Sequence, residues 1–112
     1  MKFHSLPALA ATALALAVGA TAACGPDPDR IDRVLALTGT ASSGAAVYTR
    51  ACANCHDADG NGTSQPMSSL VPAEDEQGLA QVVAGGNHVP ASTVTDQEAA
   101  DLIAYLRQTW PG

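Results

Sequence analysis

The run Cys52-Ala53-Asn54-Cys55-His56 decides how this chain folds. A C-x-x-C-H spacing is the attachment signature of a c-type haem. Two closely spaced thiols form thioethers with the two vinyl groups of one porphyrin. The His directly after the second Cys then meets the iron from one face as its proximal ligand. Cys52 and Cys55 are therefore the candidate attachment residues and His56 the candidate iron ligand. The implied cofactor is one covalent haem c per chain.

The flanks of the run read as helix, loop and helix. On the N-terminal side, Val47, Tyr48 and Ala51 share one face of a segment from Gly44 to Cys52, with Ser43 as its expected cap and 40–43 as a break. Further upstream, Asp27 can cap a helix over 28–38 that has Pro28 at its first position and Gly39 at its end. Ile31, Val34 and Leu35 lie on one side of it. On the C-terminal side, residues 57–72 are rich in Gly, Asn, Ser, Pro and Asp and read as loop. Residues 74–84 read as a short helix, with acids at its start and Gly85-Gly86 as its stop. Residues 87–95 are loop again. Thr95 and Glu98 have the spacing of a capping box. Ala99, Leu102, Ile103, Leu106 and Trp110 then follow at helical spacing. There is no strand-like alternation and no internal repeat.

Composition fits a protein completed by a cofactor. From residue 24 onward the chain has three aromatic residues, Tyr48, Tyr105 and Trp110. An all-α domain of roughly 70–80 residues gains only a few kcal/mol from an apolar core alone. A buried porphyrin supplies the apolar volume that the side chains lack.

The N-terminal end reads as an address. Lys2 is the sole formal charge before Asp27, and Leu6 to Val18 is apolar and Ala-rich. A short basic start, an apolar stretch and small residues before position 24 describe an export signal over 1–23. An uncleaved anchor needs about 20 strongly apolar residues, and Ala and Thr dilute this stretch. Thr21-Ala22-Ala23-Cys24 resembles a bacterial lipobox, although Thr21 stands where Leu is usual. Cys24 is thus a candidate lipidation site that would tether the domain to a membrane, with residues 24–41 as a tether and short helix. Loss of residues 1–23 leaves 11 acidic and four basic side chains, a formal charge of −7. That charge excludes nucleic acid as a partner. It suits steering toward a basic protein surface.

With these residues in place, the chain resembles a small bacterial class I (mitochondrial-type) monohaem cytochrome c. Gly44-x-x-x-Tyr48-x-x-x-Cys52-x-x-Cys55-His56 resembles the family's first helix. Leu102-Ile103-Ala104-Tyr105-Leu106-Arg107 resembles its last, where Tyr105 would meet the Gly44/Tyr48 face. Asp59-Gly60-Asn61-Gly62 matches the loop after the haem site, and Pro66 stands where a family Pro offers its carbonyl to the proximal His. The resemblance covers about residues 42–110 and implies an all-α fold of three or four short helices around a covalently bound haem.

The departure from the family lies on the iron's other face. The resemblance implies a Met in the loop after the third helix. That loop reads Gly85-Gly86-Asn87-His88-Val89-Pro90. Val89 stands at the Met position and cannot ligate iron. His88, one residue earlier, is the leading candidate for the sixth ligand, an open site ranks second, and Met67, on the proximal side, ranks third. A bis-His iron lies lower in potential than His/Met.

Three other patterns are weaker. Asp57-x-Asp59-x-Asn61-Gly62 copies half of an EF-hand loop but has Ser68 where the bidentate Glu belongs, so a turn is expected. A thioredoxin-like C-x-x-C needs a βαβ context, which is absent. A structural zinc site needs four ligands and would have to borrow distant His88. The expectation is an exported, monomeric, single-electron carrier in a bacterial respiratory or related redox chain. It would sit lipid-anchored at the periplasmic face of a membrane, between a protein donor and acceptor. The alternative is a haem enzyme or gas-ligand sensor with an open sixth site.

Overall fold

The computed structural model describes residues 27–112. The export signal and Cys24 lie outside the described residues. Six helices and no strand form within them: α1 Pro28–Leu35, α2 Ala41–Ala51, α3 Ala53–His56, α4 Met67–Ala73, α5 Glu76–Ala84 and α6 Asp96–Thr109. The all-α expectation holds. The count is six rather than three or four, because a single turn at the haem signature and a helix in the 57–72 stretch add to it.

The helix starts have local causes. Asp27 Oδ1 accepts from the Asp29 and Arg30 N–H groups, and Pro28 occupies the first turn. Asp75 caps α5 through the Gly78 N–H at 2.7 Å. At α6 the capping box closes in both directions, Glu98 N–H to Thr95 Oγ1 at 3.1 Å and Thr95 N–H to Glu98 Oε1 at 3.0 Å. Each such cap satisfies backbone donors that a bare helix end would leave orphaned.

Two boundaries differ from the spacing-based expectation, and both differences are tertiary in origin. α1 stops at Leu35, short of Gly39. Gly39 instead lets α6 approach, since a Cβ there would lie 2.0 Å from the Ala100 carbonyl oxygen. α2 begins at Ala41, so residues 41–43 of the expected break are helix, and Thr40 rather than Ser43 stands at its N-cap. Buried Asp101 fixes this start by accepting the Thr40 N–H at 2.8 Å.

α2 and α6 make the principal crossing of the fold. A Cβ on Gly44 would lie 1.9 Å from the Asp101 carbonyl oxygen, so only glycine allows the two backbones to meet here. Tyr48 fills the space beside the crossing, with ring centroids 5.4 Å from Tyr105 and 5.6 Å from Trp110. The meeting of Tyr105 with the Gly44/Tyr48 face matches what the resemblance implies. α1 packs on α5 and α6 through Ile31 and Val34, both 1% exposed. Burial of side chains of this size is worth about 1.5–3 kcal/mol each.

Candidate haem-binding site

The haem signature closes α2 and opens α3. Cys52 is half-buried and Cys55 exposed. Burial pushes the Cys52 thiol up to about 11. The His56 N–H donates to the Cys52 carbonyl at 3.0 Å, and the His56 carbonyl accepts from Gly62 at 2.9 Å. Asp57, next in the chain, sits in the left-handed region with φ 59°. A non-Gly residue there costs free energy and persists only where its surroundings enforce it. The Tyr48 hydroxyl enforces it by donating to the Asp57 carbonyl at 2.7 Å. α2 thereby holds both ends of the turn that carries His56.

Downstream, Asp59 Oδ1 accepts the Asn61 N–H at 3.0 Å, closing the turn expected from that motif. No group of three or more His, Cys, Asp or Glu gathers as a metal site among the described residues. Pro66 is the N-cap of α4. Its carbonyl accepts from the Ser69 and Leu70 N–H groups, and the expected bond from the His56 ring is not formed. The first turn of α4 competes for the same acceptor. Pro66 instead aims α4 so that Met67, Leu70 and Val71 face the cavity beside His56.

That cavity has a volume of about 470 Å³. Its floor is apolar: Met67, Leu70, Val71, Leu79, Val82, Val83 and Leu106. Thr63, Ser64, Gln65 and Glu74 form a polar edge, and Cys52, His56 and His88 also line it. The size and the mix of apolar wall with few polar groups are those of a cofactor site. The spacing of residues 57–72 gave no sign of Thr63, Ser64, Gln65 or Leu70 as lining residues, because the loop and α4 acquire their path only in the fold.

The two imidazoles converge. Their ring centroids are 6.0 Å apart and their planes tilt by 51°. Metal–imidazole bonds run to about 2 Å, so two rings that share one metal ion have centroids roughly this far apart. Val89, by contrast, is buried at 8% exposure and is not part of the cavity wall. Adjacent loop residues point opposite ways, and the outward one is His88. Met67 lines the cavity from α4.

These residues fit a haem. The His56 Nδ1 atom is buried and has no hydrogen-bond partner among the described residues. Nδ1 is the nitrogen that a carbonyl partner such as Pro66 would orient, which leaves Nε2 as the one that would hold an iron. A thiol, two imidazoles and an apolar cavity of this volume complete the set. An all-helical chain around such a cavity, with C-x-x-C-H at the end of its first crossing helix, is a small class I cytochrome c.

Comparison with known proteins agrees. Residues 39–106 match the family described as cytochrome c oxidase, cbb3-type, subunit III, and the chain belongs to this cytochrome c family. Cytochrome c-551 of Bacillus subtilis (strain 168) is 30% identical over 92 residues, which cover 78% of this chain and 82% of that protein. A cytochrome c-553-like protein of Synechocystis sp. is 35% identical over 80 residues, 69% of this chain and 76% of the other. The cytochrome c subunit of a quinone alcohol dehydrogenase from Gluconobacter oxydans (strain 621H) is 30% identical over 105 residues. That match takes in 77% of this chain, which spans only 22% of that subunit's length. No solved structure gives a significant match. The chain is a monohaem, haem-binding electron-transfer protein.

Proposed function

We propose that this cytochrome is an exported, membrane-tethered shuttle that passes single electrons between protein partners through a covalently held, bis-His haem c. Bound haem supplies a one-electron iron couple. Cys52 and Cys55 would hold it by thioethers. His56 and His88 would hold its iron. The observation that carries the reading is the approach of the His56 and His88 rings to 6.0 Å across one apolar cavity.

The remaining residues tune and present the group. Leu79, Val82, Val83 and Leu106 keep water from one wall of the cavity. Exclusion of water changes the relative stability of the two oxidation states and so sets the potential. The surface charge supports a basic partner. All four arginines among the described residues are engaged within the chain: Arg30 and Arg33 with Asp96, Arg50 with Glu98 and Arg107 with Glu76. Exposed Glu74 stands at the cavity edge, beside Asp75. The outward field is therefore acidic and steers a basic docking surface toward that edge.

Attachment to a membrane rests on Cys24 in its lipobox-like run. No helix among the described residues is long and apolar enough to cross a membrane. The donor and acceptor are then redox proteins at the periplasmic face, membrane complexes included, and the cytochrome acts as a monomer. The named relative in a quinone alcohol dehydrogenase supports a setting of this kind.

Absorption and electron paramagnetic resonance spectra of both oxidation states, with and without CO, test the reading. Six-coordinate, low-spin bis-His signals and slow CO binding, limited by release of His88, are expected. Rapid CO binding to a five-coordinate ferrous form would overturn the carrier in favour of a ligand-binding haem protein.

A further inference from the structure

His88 is carried by a segment with little structure of its own. Residues 85–95 open on two glycines, of which Gly86 has φ 87°, and the one backbone hydrogen bond inside the segment runs from the Thr93 N–H to the Pro90 carbonyl. Exposed His88 has little packing to fix its position. What holds this loop comes from outside it. Arg30 of α1 is 7% exposed. Its Nη1 donates to the Ala84 carbonyl at 3.0 Å and its Nη2 to the Val94 carbonyl at 2.5 Å. Its Nε donates to Asp96 Oδ1 at 2.9 Å. Ala84 is the last residue before the loop, and Val94 lies at its far end. One guanidinium therefore joins the two ends of the segment that bears His88.

We propose that Arg30 is a positioning residue for the distal ligand: by tying Ala84 to Val94 it fixes the span of the 85–95 loop and so keeps His88 facing His56. The inference rests on the reading of His88 as the sixth ligand. Its physical basis is independent of haem. A buried cation is costly to desolvate, and an apolar side chain of similar volume is often no less stable. Arg30 is nevertheless buried, and every hydrogen bond its side chain makes lands on one end of the loop or the helix that follows. The rigid planar fork suits this task, because three donors in fixed directions define a distance that the single ammonium of Lys does not. Fixing both ends of a flexible segment removes most of the conformations in which His88 points elsewhere. Two further arginines reinforce the far end: Arg33 donates to Asp96 Oδ2 at 3.1 Å, and Arg50 to the Thr93 carbonyl at 3.2 Å.

The consequence is kinetic as well as structural. CO reaches a bis-His iron only when His88 is off, so its binding rate reads the population of the ligand-off state. The experiment compares haem-loaded wild type, Arg30→Met, Arg30→Lys, Val34→Ala and His88→Ala. Val34 is buried on the same helix and makes no bond to the loop, so its truncation weakens α1 packing alone. The Arg30→Met rate should rise about tenfold or more, the scale of losing hydrogen bonds from a charged group. Faster amide exchange over 86–94 should accompany it. Arg30→Lys should fall between, and Val34→Ala should stay within about twofold of wild type at a matched loss of Tm. Equal rates in Arg30→Met and Val34→Ala would overturn the positioning role. If Arg30→Met does not accumulate as holoprotein, the Arg30→Lys rate decides in the same way. An unchanged low-spin spectrum in His88→Ala would overturn the ligand reading instead, whatever the arginine variants do.

Discussion

The imidazole rings of His56 and His88 face one cavity with centroids 6.0 Å apart, although 32 positions separate them in the chain. The two rings come from opposite ends of the functional architecture, one from the turn after α2 and one from the loop after α5. On the proposed reading, ligation of the haem iron turns on these two side chains. His88→Ala should lose the six-coordinate low-spin spectrum and bind CO much faster than wild type. His88→Met should raise the reduction potential relative to wild type, since axial ligand identity spreads haem potentials over about 0.8 V and Met lies on the high side. Met67→Leu conserves volume, should cost less than about 1.5 kcal/mol, and should leave the spectrum alone. Spectroelectrochemistry on the three variants separates the roles. A spectrum lost in Met67→Leu but kept in His88→Ala would assign the ligand to Met67.

Acid should loosen the junction of the 85–95 loop with α6. Hydrogen bonding from Arg30 first, then Arg33, holds the Asp96 carboxyl below its ordinary 3.8. The Thr95 N–H first, then Arg50, holds Glu98 below 4.5. A carboxyl lowered on folding stabilises the native state above its unfolded value and loses that contribution as pH falls through the lower folded value. The Tm of the holoprotein should therefore be nearly flat from pH 7 to about 5 and should fall below about pH 4. Asp96→Asn should show a lower plateau and a shallower fall. A wild-type Tm that declines instead between pH 7 and 5 would place the controlling group elsewhere.

How much of this was legible in the sequence depends on whether the signal is local. α6 was, because the Thr95/Glu98 box and the Ala99, Leu102, Ile103, Leu106 stripe are written in adjacent turns. The haem signature was too. α4 was not. Met67-Ser68-Ser69-Leu70-Val71-Pro72-Ala73 has the composition of a loop, and what makes it helical is long-range. Met67 and Val71 are buried against the core, and Arg107 from α6 donates to the Val71 carbonyl at 2.8 Å and also to the Glu74 carbonyl. Arg30 was equally hidden, since an arginine on a short amphipathic helix reads as a solvated residue until its three acceptors are known. The sequence did rank His88 above Met67. It could not say which way the loop turns, because the burial of Val89 is a property of the packed chain.

The α2–α6 crossing makes a sharp prediction about two glycines. At Gly44 an added Cβ would meet the Asp101 backbone at 1.9 Å, and backbone cannot yield without separating the helices. Gly44→Ala should cost about 3 kcal/mol or more, or prevent accumulation of holoprotein. At Gly78 the nearest atom is Glu74 Oε2 at 2.1 Å, the free end of an exposed side chain. Gly78→Ala should therefore gain about 0.5–1 kcal/mol from helix propensity. Chemical denaturation of the two holoproteins checks the opposite signs. Similar losses in both would mean that the crossing is not the constraint.

Covalent attachment makes the last prediction, and it treats the two thiols differently. Cys52 lines the cavity, and burial holds its thiol protonated up to about 11. Cys55 is exposed and does not line the cavity. If both form thioethers, the haem should stay with the chain through denaturing electrophoresis, and the wild-type band should stain for haem. Cys52→Ala and Cys55→Ala should each keep one bond and still stain. Only the double variant should lose the stain while retaining haem under native conditions through His56 and His88. The half-buried Cys52 also packs against the core, so its truncation should cost more Tm than that of Cys55. A wild-type band without haem would exclude thioether bonds and leave a haem held by its axial ligands alone. A stain that survives in the double variant would mean that some other side chain forms the bond.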